Sequence, residues 1–159
     1  MWGALIAYLR KQLGQRSDTA SATGSIHAKY NYLVVDGITS AIPSDNLKIS
    51  LDTERTETGQ TYVMHKGIFA PYSGVFRVKY DAELSNQAGN NYARLYKNGV
   101  AYGTENALGG SWVTYSEDLH FLRGDAIQVY LRAASGATVK VRNFRIYYDT
   151  TTTSTLYDA

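Results

Sequence analysis

From Asp45 to Asp149 the apolar residues recur at every second position, and that period restricts this part of the chain to β-strands. In SGVFRVKYDAEL, Phe76, Val78, Tyr80, Ala82 and Leu84 fall on one face, with Arg77, Lys79, Asp81 and Glu83 on the other. AIQVYLRA places Ile127, Val129 and Leu131 inward, and Leu47, Ile49 and Leu51 alternate in NLKISLDT. Polar stretches such as ERTETGQ, SNQAGNN and Arg123-Gly124-Asp125 separate the runs, and no helical pattern intervenes. The expectation is an all-β fold, an antiparallel sandwich or jelly roll. In the last run, VKVRNFRIYYD, the apolar phase shifts near Asn143, from Val139 and Val141 to Phe144, Ile146 and Tyr148. A bulge, or a strand buried on both sides, would account for the shift.

The stretch YARLYKNGVAYGT carries a second constraint. Asn98-Gly99 between two short apolar runs is the strongest local signal of a two-residue hairpin turn. Its first strand is apolar or aromatic on both faces. One face belongs in a core, and Tyr92, Arg94 and Tyr96 on the other need something to touch.

Outside this region the period changes. Trp2, Ile6, Leu9 and Leu13 follow the four-three spacing of a short amphipathic helix, with Gly14 as its cap. After the polar linker QRSDTASATGS, Ile26, Tyr30 and Leu33 repeat the rhythm, and Asp36-Gly37 and Pro43 close it. Helices this short are marginal alone. They either fold back onto the β domain or bundle with copies from other chains. The chain therefore reads as a helical neck or anchor over 1–43, a β domain over 44–149 and a threonine-rich tail over 150–159, a loose end or an arm laid on a neighbour.

Composition narrows the function classes. With 159 residues, 44% apolar and 19% charged, the chain can bury a sizeable core, and wholesale disorder is excluded. Its 14 Tyr fit half-buried β surfaces and interfaces. The absence of Cys removes disulfide scaffolds and thiolate metal sites. A net charge of +2, spread along the chain, gives no footprint for nucleic acid. The apolar run of MWGALIAYLRKQLG is too short for membrane insertion and lacks the pattern of a signal peptide.

Reactive groups are sparse. His27, His65 and His120 form no metal-spaced pair, and Asp118 with His120 lacks a third partner. Asp81 and Glu83 share a strand face as paired carboxylates could, but beside Arg77 and Lys79 they read as an exposed charge ladder. Lys140, Arg142 and Arg145 with Phe144, Tyr147 and Tyr148 read as the wet and dry sides of one strand rather than a single-strand platform. Neither an enzyme nor a cofactor is expected. Carbohydrate binding fits better: TENALGGSW brings Glu105, Asn106 and Trp112 close in sequence, and SNQAGNN adds Asn86, Gln87, Asn90 and Asn91. Asn and Gly also serve turns for conformational reasons alone.

Four fragments together, HKGIFAPYSGVFRVKY, ARLYKNGVAYG, DLHFLRGDAIQVYL and VRNFRIYYD, resemble the C1q and tumour-necrosis-factor-like jelly rolls, in the right order from Gln60 to Tyr148. The version here looks most like the jelly-roll domains of tailed-phage structural proteins, and the preceding DTASATGSIHAKYNYL resembles their helical necks. The collagen-like stalk of animal members is absent, as is a loop cluster convincing enough for their calcium sites. The resemblance implies a homotrimer packed through aromatic residues, with Tyr92, Arg94, Tyr96, Phe76, Phe144 and Tyr148 as candidate contacts. It further implies a non-enzymatic protein on the virion surface, a tail fibre, tip or capsid decoration, joined to other virion proteins through its N-terminal helices. Host-surface glycan is the implied ligand. The alternative is a monomeric carbohydrate-binding module centred on Trp112.

Overall fold

The computed structural model describes residues 38–86 and 89–153. The helical seams expected at Trp2, Ile6, Leu9 and Leu13 and at Ile26, Tyr30 and Leu33 lie outside the described residues. The chain divides into two units, 1–40 with 151–159, and 41–150. Of the first, the described residues are strand ends, where the hydroxyls of Thr39 and Thr152 lie 3.3 Å apart. The second is an all-β sandwich.

The strands are β1 (Ile38–Leu51), β2 (Arg55–Glu57), β3 (Val63–Phe69), β4 (Ser73–Asn86), β5 (Tyr92–Lys97), β6 (Val100–Ala101), β7 (Asn106–Ala107), β8 (Val113–Phe121), β9 (Ala126–Arg132) and β10 (Thr138–Thr153). Their antiparallel pairs nest: β2 with β10, β3 with β9, β4 with β8, and β5 with β6. Pairing of β10 with β4 and of β9 with β5 then closes two sheets, β2-β10-β1-β4-β8 and β3-β9-β5-β6, with β7 beside β5. A long nested hairpin rolled up so that successive pairs fall alternately into opposite sheets has the topology of a jelly roll.

Alternation fills the space between the sheets. Phe76, Val78, Tyr80 and Ala82 of β4 and Val139, Val141, Phe144 and Ile146 of β10 are buried from one side. Ala93 and Leu95 of β5 and Ile127, Val129 and Leu131 of β9 meet them from the other. The aromatic rings interlock edge to face, Phe76 lying 5.1 Å from Tyr148 and 6.2 Å from Phe121 between centroids. Phe76 and Phe144 are thus wholly inside one chain, and Tyr148 is 9% exposed. Burial within the chain leaves Phe76 and Phe144 no surface for the subunit contact that the resemblance implied, and Tyr148 little. Of Leu47, Ile49 and Leu51, only Ile49 packs on the core.

The phase shift in the last strand is a bulge. Asn143 takes a positive φ of 50°, and the β10–β4 register slips between Arg142 and Arg145. The slip keeps Phe144 and Ile146 on the same face as Val139 and Val141. Asparagine tolerates that left-handed conformation, and its Nδ2 donates to Asp81 Oδ2 at 2.6 Å. The strands also extend beyond 44–149: β1 begins at Ile38, and β10 continues through Thr150–Thr153, where β-branched side chains favour extended backbone.

At the hairpin, Asn98 (φ 52°) and Gly99 (φ 78°) both lie in the left-handed region, as a type I′ turn requires. Asn98 ties this turn to the β8–β9 turn, donating to Asp125 Oδ1 and accepting from the Ala126 amide, both at 2.7 Å. The Lys97 ammonium, 2.8 Å from Asp125, together with donors from the Leu122 amide and Asn98, holds the Asp125 carboxyl down at about 2. A depressed carboxylate contributes stability that is full above its ordinary 3.8 and is lost as pH falls towards about 2. Replacing Asp125 by Asn should therefore lower the thermal midpoint at neutral pH. The gap to wild type should close across that acid window, as followed by circular dichroism melts.

Candidate functional site

The outward residues of β5 form one end of a strip that crosses the second sheet. Ala93 and Leu95 point into the core, so Tyr92, Arg94 and Tyr96 face outward. Register places Arg132, Tyr130 and Gln128 of β9 directly opposite them, and Met64 of β3 opposite Tyr130. Tyr96 and Tyr130 stack at 4.0 Å between centroids and 19° between planes. Tyr62, just before β3, tilts against Tyr96 at 5.8 Å. The Arg132 guanidinium lies over both Tyr92, at 4.7 Å, and Tyr62, at 5.4 Å. Within one chain, then, the second face of the hairpin strand meets its own sheet neighbours. The rings support one another and remain half-buried.

Polar groups thread the strip. Arg94 Nε donates to the Gly103 carbonyl at 2.8 Å, and the Tyr62 hydroxyl donates to Glu105 Oε1 at 2.5 Å. Burial, reinforced by that carboxylate, pushes the Tyr62 phenol well above its ordinary value, and burial also raises Tyr96. Both stay neutral and can donate. Hollows flank the strip at either end. One, ≈ 230 Å³, is bordered by Met64, Gly67, Phe69 and Gln128. The other, ≈ 430 Å³, is bordered by Gln60, Asn90, Arg132 and Ser135.

The outer face of the first sheet differs. Its charges are matched: Arg77 forks onto Asp118 at 2.9 and 3.0 Å and reaches Asp45 at 2.8 Å. Lys140 sits between Glu54 and Glu83, and Arg145 pairs with Asp52 at 2.9 Å. The charges of β4 pair as the expected ladder, but half-buried rather than exposed. Asp81 accepts from Thr114 and Asn143. Glu117, opposite buried Val78, points inward and accepts from the Thr104 amide through Oε2, while its Oε1 is buried without a partner among the described residues. Among the described residues no group of three or more His, Asp or Glu is placed to hold a metal ion.

The loop residues expected to gather a ligand do not form one site. Glu105 borders the tyrosine strip, but Asn106 turns inward and donates to the hydroxyl of buried Tyr80 at 2.9 Å. Trp112 stacks on Arg142, 3.9 Å from its guanidinium carbon to the ring centroid, on the first sheet. Asn91 is buried; it accepts from the Ala134 amide at 2.7 Å and donates to the Gly89 carbonyl, so it shapes its loop. Asn90 alone of that pair is exposed, at the larger hollow. Tyr62, Gln128, Tyr130 and Arg132 were the residues missed. The alternation of AIQVYLRA marks the last three as outward, but nothing local in the sequence sets β9 beside β5.

Asn106→Ala should destabilise the fold by about 1–3 kcal/mol, the cost of leaving a buried hydroxyl without its partner. Urea denaturation measures this, and an Asn106 that served only a ligand would leave the midpoint unmoved.

No protein-family model and no curated protein matches the chain. Among solved structures, a family 35 carbohydrate-binding module from Clostridium thermocellum is similar with a TM-score of 0.45 and 11% identity, covering 64% of this chain and 98% of that one. The CBM22-1 xylan-binding domain of Paenibacillus barcinonensis Xyn10C gives 0.43 and 12%, covering 68% and 97%. The EclA C-terminal domain, a sugar-binding protein, gives 0.40 and 16%, covering 82% and 89%.

Proposed function

We propose that this chain is a non-catalytic binding protein whose ligand is a carbohydrate held along the tyrosine strip of the second sheet. The carrying observation is the row Tyr62, Tyr96 and Tyr130, stacked across strands and open to solvent along one side. A pyranose offers apolar C–H faces and a ring of hydroxyls. Phenol edges, phenol hydroxyls and guanidinium donors complement both. The hollows at the two ends give an extended saccharide room to follow the strip.

A second reading, from the resemblance, makes this face a contact between subunits of a virion-borne homotrimer. What favours it is the apolar set at the hairpin end, where Phe69 is 71% exposed, Val100 68% and Leu122 55%. Monomers ordinarily avoid such a grouping.

One sample separates the two. The full chain is applied to a glycan array, and its solution mass is measured by light scattering. With Tyr96→Ala and Tyr130→Ala combined, glycan retention should fall about 10- to 100-fold, the loss expected on truncating two aromatic contacts, with mass unchanged. A drop in mass on the same substitutions, with no glycan retained by wild type, would instead make the strip the subunit contact.

A further inference from the structure

The two outer faces treat their cations in opposite ways. On the first sheet Arg77, Lys79, Lys140, Arg142 and Arg145 each have a carboxylate within 4.0 Å. On the second sheet Arg94 and Arg132 have none among the described residues, although register sets them diagonally on neighbouring strands. Glu105, the carboxylate at the strip's border, is turned to the Tyr62 hydroxyl.

Arg132 is the more telling of the two. Its guanidinium is held over Tyr92 and Tyr62, and its Nε is buried with no hydrogen-bond partner among the described residues. A desolvated cationic donor is costly to leave unpaired; Arg142 Nε on the first sheet is likewise buried without a hydrogen bond but has the Asp81 carboxylate 3.6 Å away, whereas Arg132 has no carboxylate beside it among the described residues. Arg132 also lines the ≈ 430 Å³ hollow with Gln60, Asn90 and Ser135, whose polar side chains suit the hydroxyls flanking an acidic group. A planar fork with fixed geometry matches a carboxylate through parallel N–H···O bonds, and the ring contacts hold it in place beforehand.

We infer that the saccharide of the preceding reading is an acidic one, its sugar carboxylate seated on Arg132 in this hollow with Arg94 adding to the local positive potential. The inference rests on the carbohydrate reading and narrows it to carboxylate-bearing sugars.

The test uses the full chain on an array that prints uronate- or sialate-bearing glycans beside their carboxyl-reduced, neutral counterparts. Wild type should retain the acidic member of a pair at least about tenfold better, and added NaCl should erode that preference. Arg132→Gln should collapse the acidic-to-neutral ratio towards one, and Arg132→Lys, which keeps charge without the fork, should restore only part of it. Melting curves show whether each variant is folded. Equal retention of both members by wild type would overturn the acidic assignment and leave the carbohydrate reading standing. A preference that survives in folded Arg132→Gln would also overturn it. Retention of no glycan at all would overturn both.

Discussion

The cross-strand pair Leu95 and Val129, both wholly buried between the sheets, fixes the outer face of the molecule as firmly as its core. On a pleated strand an inward residue dictates the direction of its neighbours. With Leu95 and Val129 locked in the core, Arg94 and Tyr96 must point outward, and so must Gln128 and Tyr130. A slip of one residue in this register would send the tyrosines inside and the leucine into water. Burying Ala93, Leu95, Val129 and Leu131 is therefore also what assembles the strip, and the loops need contribute little to its geometry.

The same mechanism builds a second outer face with contrary chemistry. There β4 and β10 present Arg77, Asp81, Lys140 and Arg145, which cross-pair with Asp118, Asn143, Glu83 and Asp52. Exposed ion pairs of this kind contribute little energy each, but they give each of these cations a carboxylate within reach, Arg142 included, although its Nε makes no hydrogen bond. The tyrosine face is rich in rings and short of acceptors. Its half-buried rings raise the proportion of apolar surface, while Arg94 and Arg132 have no carboxylate partner among the described residues. One fold thus holds a charge-paired wall and one whose two arginines have no carboxylate among the described residues, and an anionic ligand has more to gain at the second.

Much of this was legible in the residues. The Asn98-Gly99 turn, the inward sets of β4 and β9 and the break in phase at Asn143 follow from local stereochemistry, which a sequence displays directly. What could not be read was which strands meet. Tyr96 and Tyr130 stand far apart in the chain and come together only because β9 returns beside β5. The loop asparagines misled for a related reason. An Asn in a turn can bind a ligand or satisfy the backbone, and only coordinates reveal Asn91 under the Ala134 amide or Asn106 on the Tyr80 hydroxyl. Phe76 and Phe144 were open as core or interface because a pattern of alternation shows which face is apolar without showing what covers it.

The most direct measurement is a titration of the isotopically labelled chain with a saccharide retained on the array, followed residue by residue through backbone amide resonances. The account predicts that the shifts concentrate on Tyr62, Tyr92–Tyr96 and Gln128–Arg132, with the amides of Arg77–Asp81 and Lys140–Arg145 unmoved. Shifts centred on the first sheet or on the Trp112 loop would contradict it.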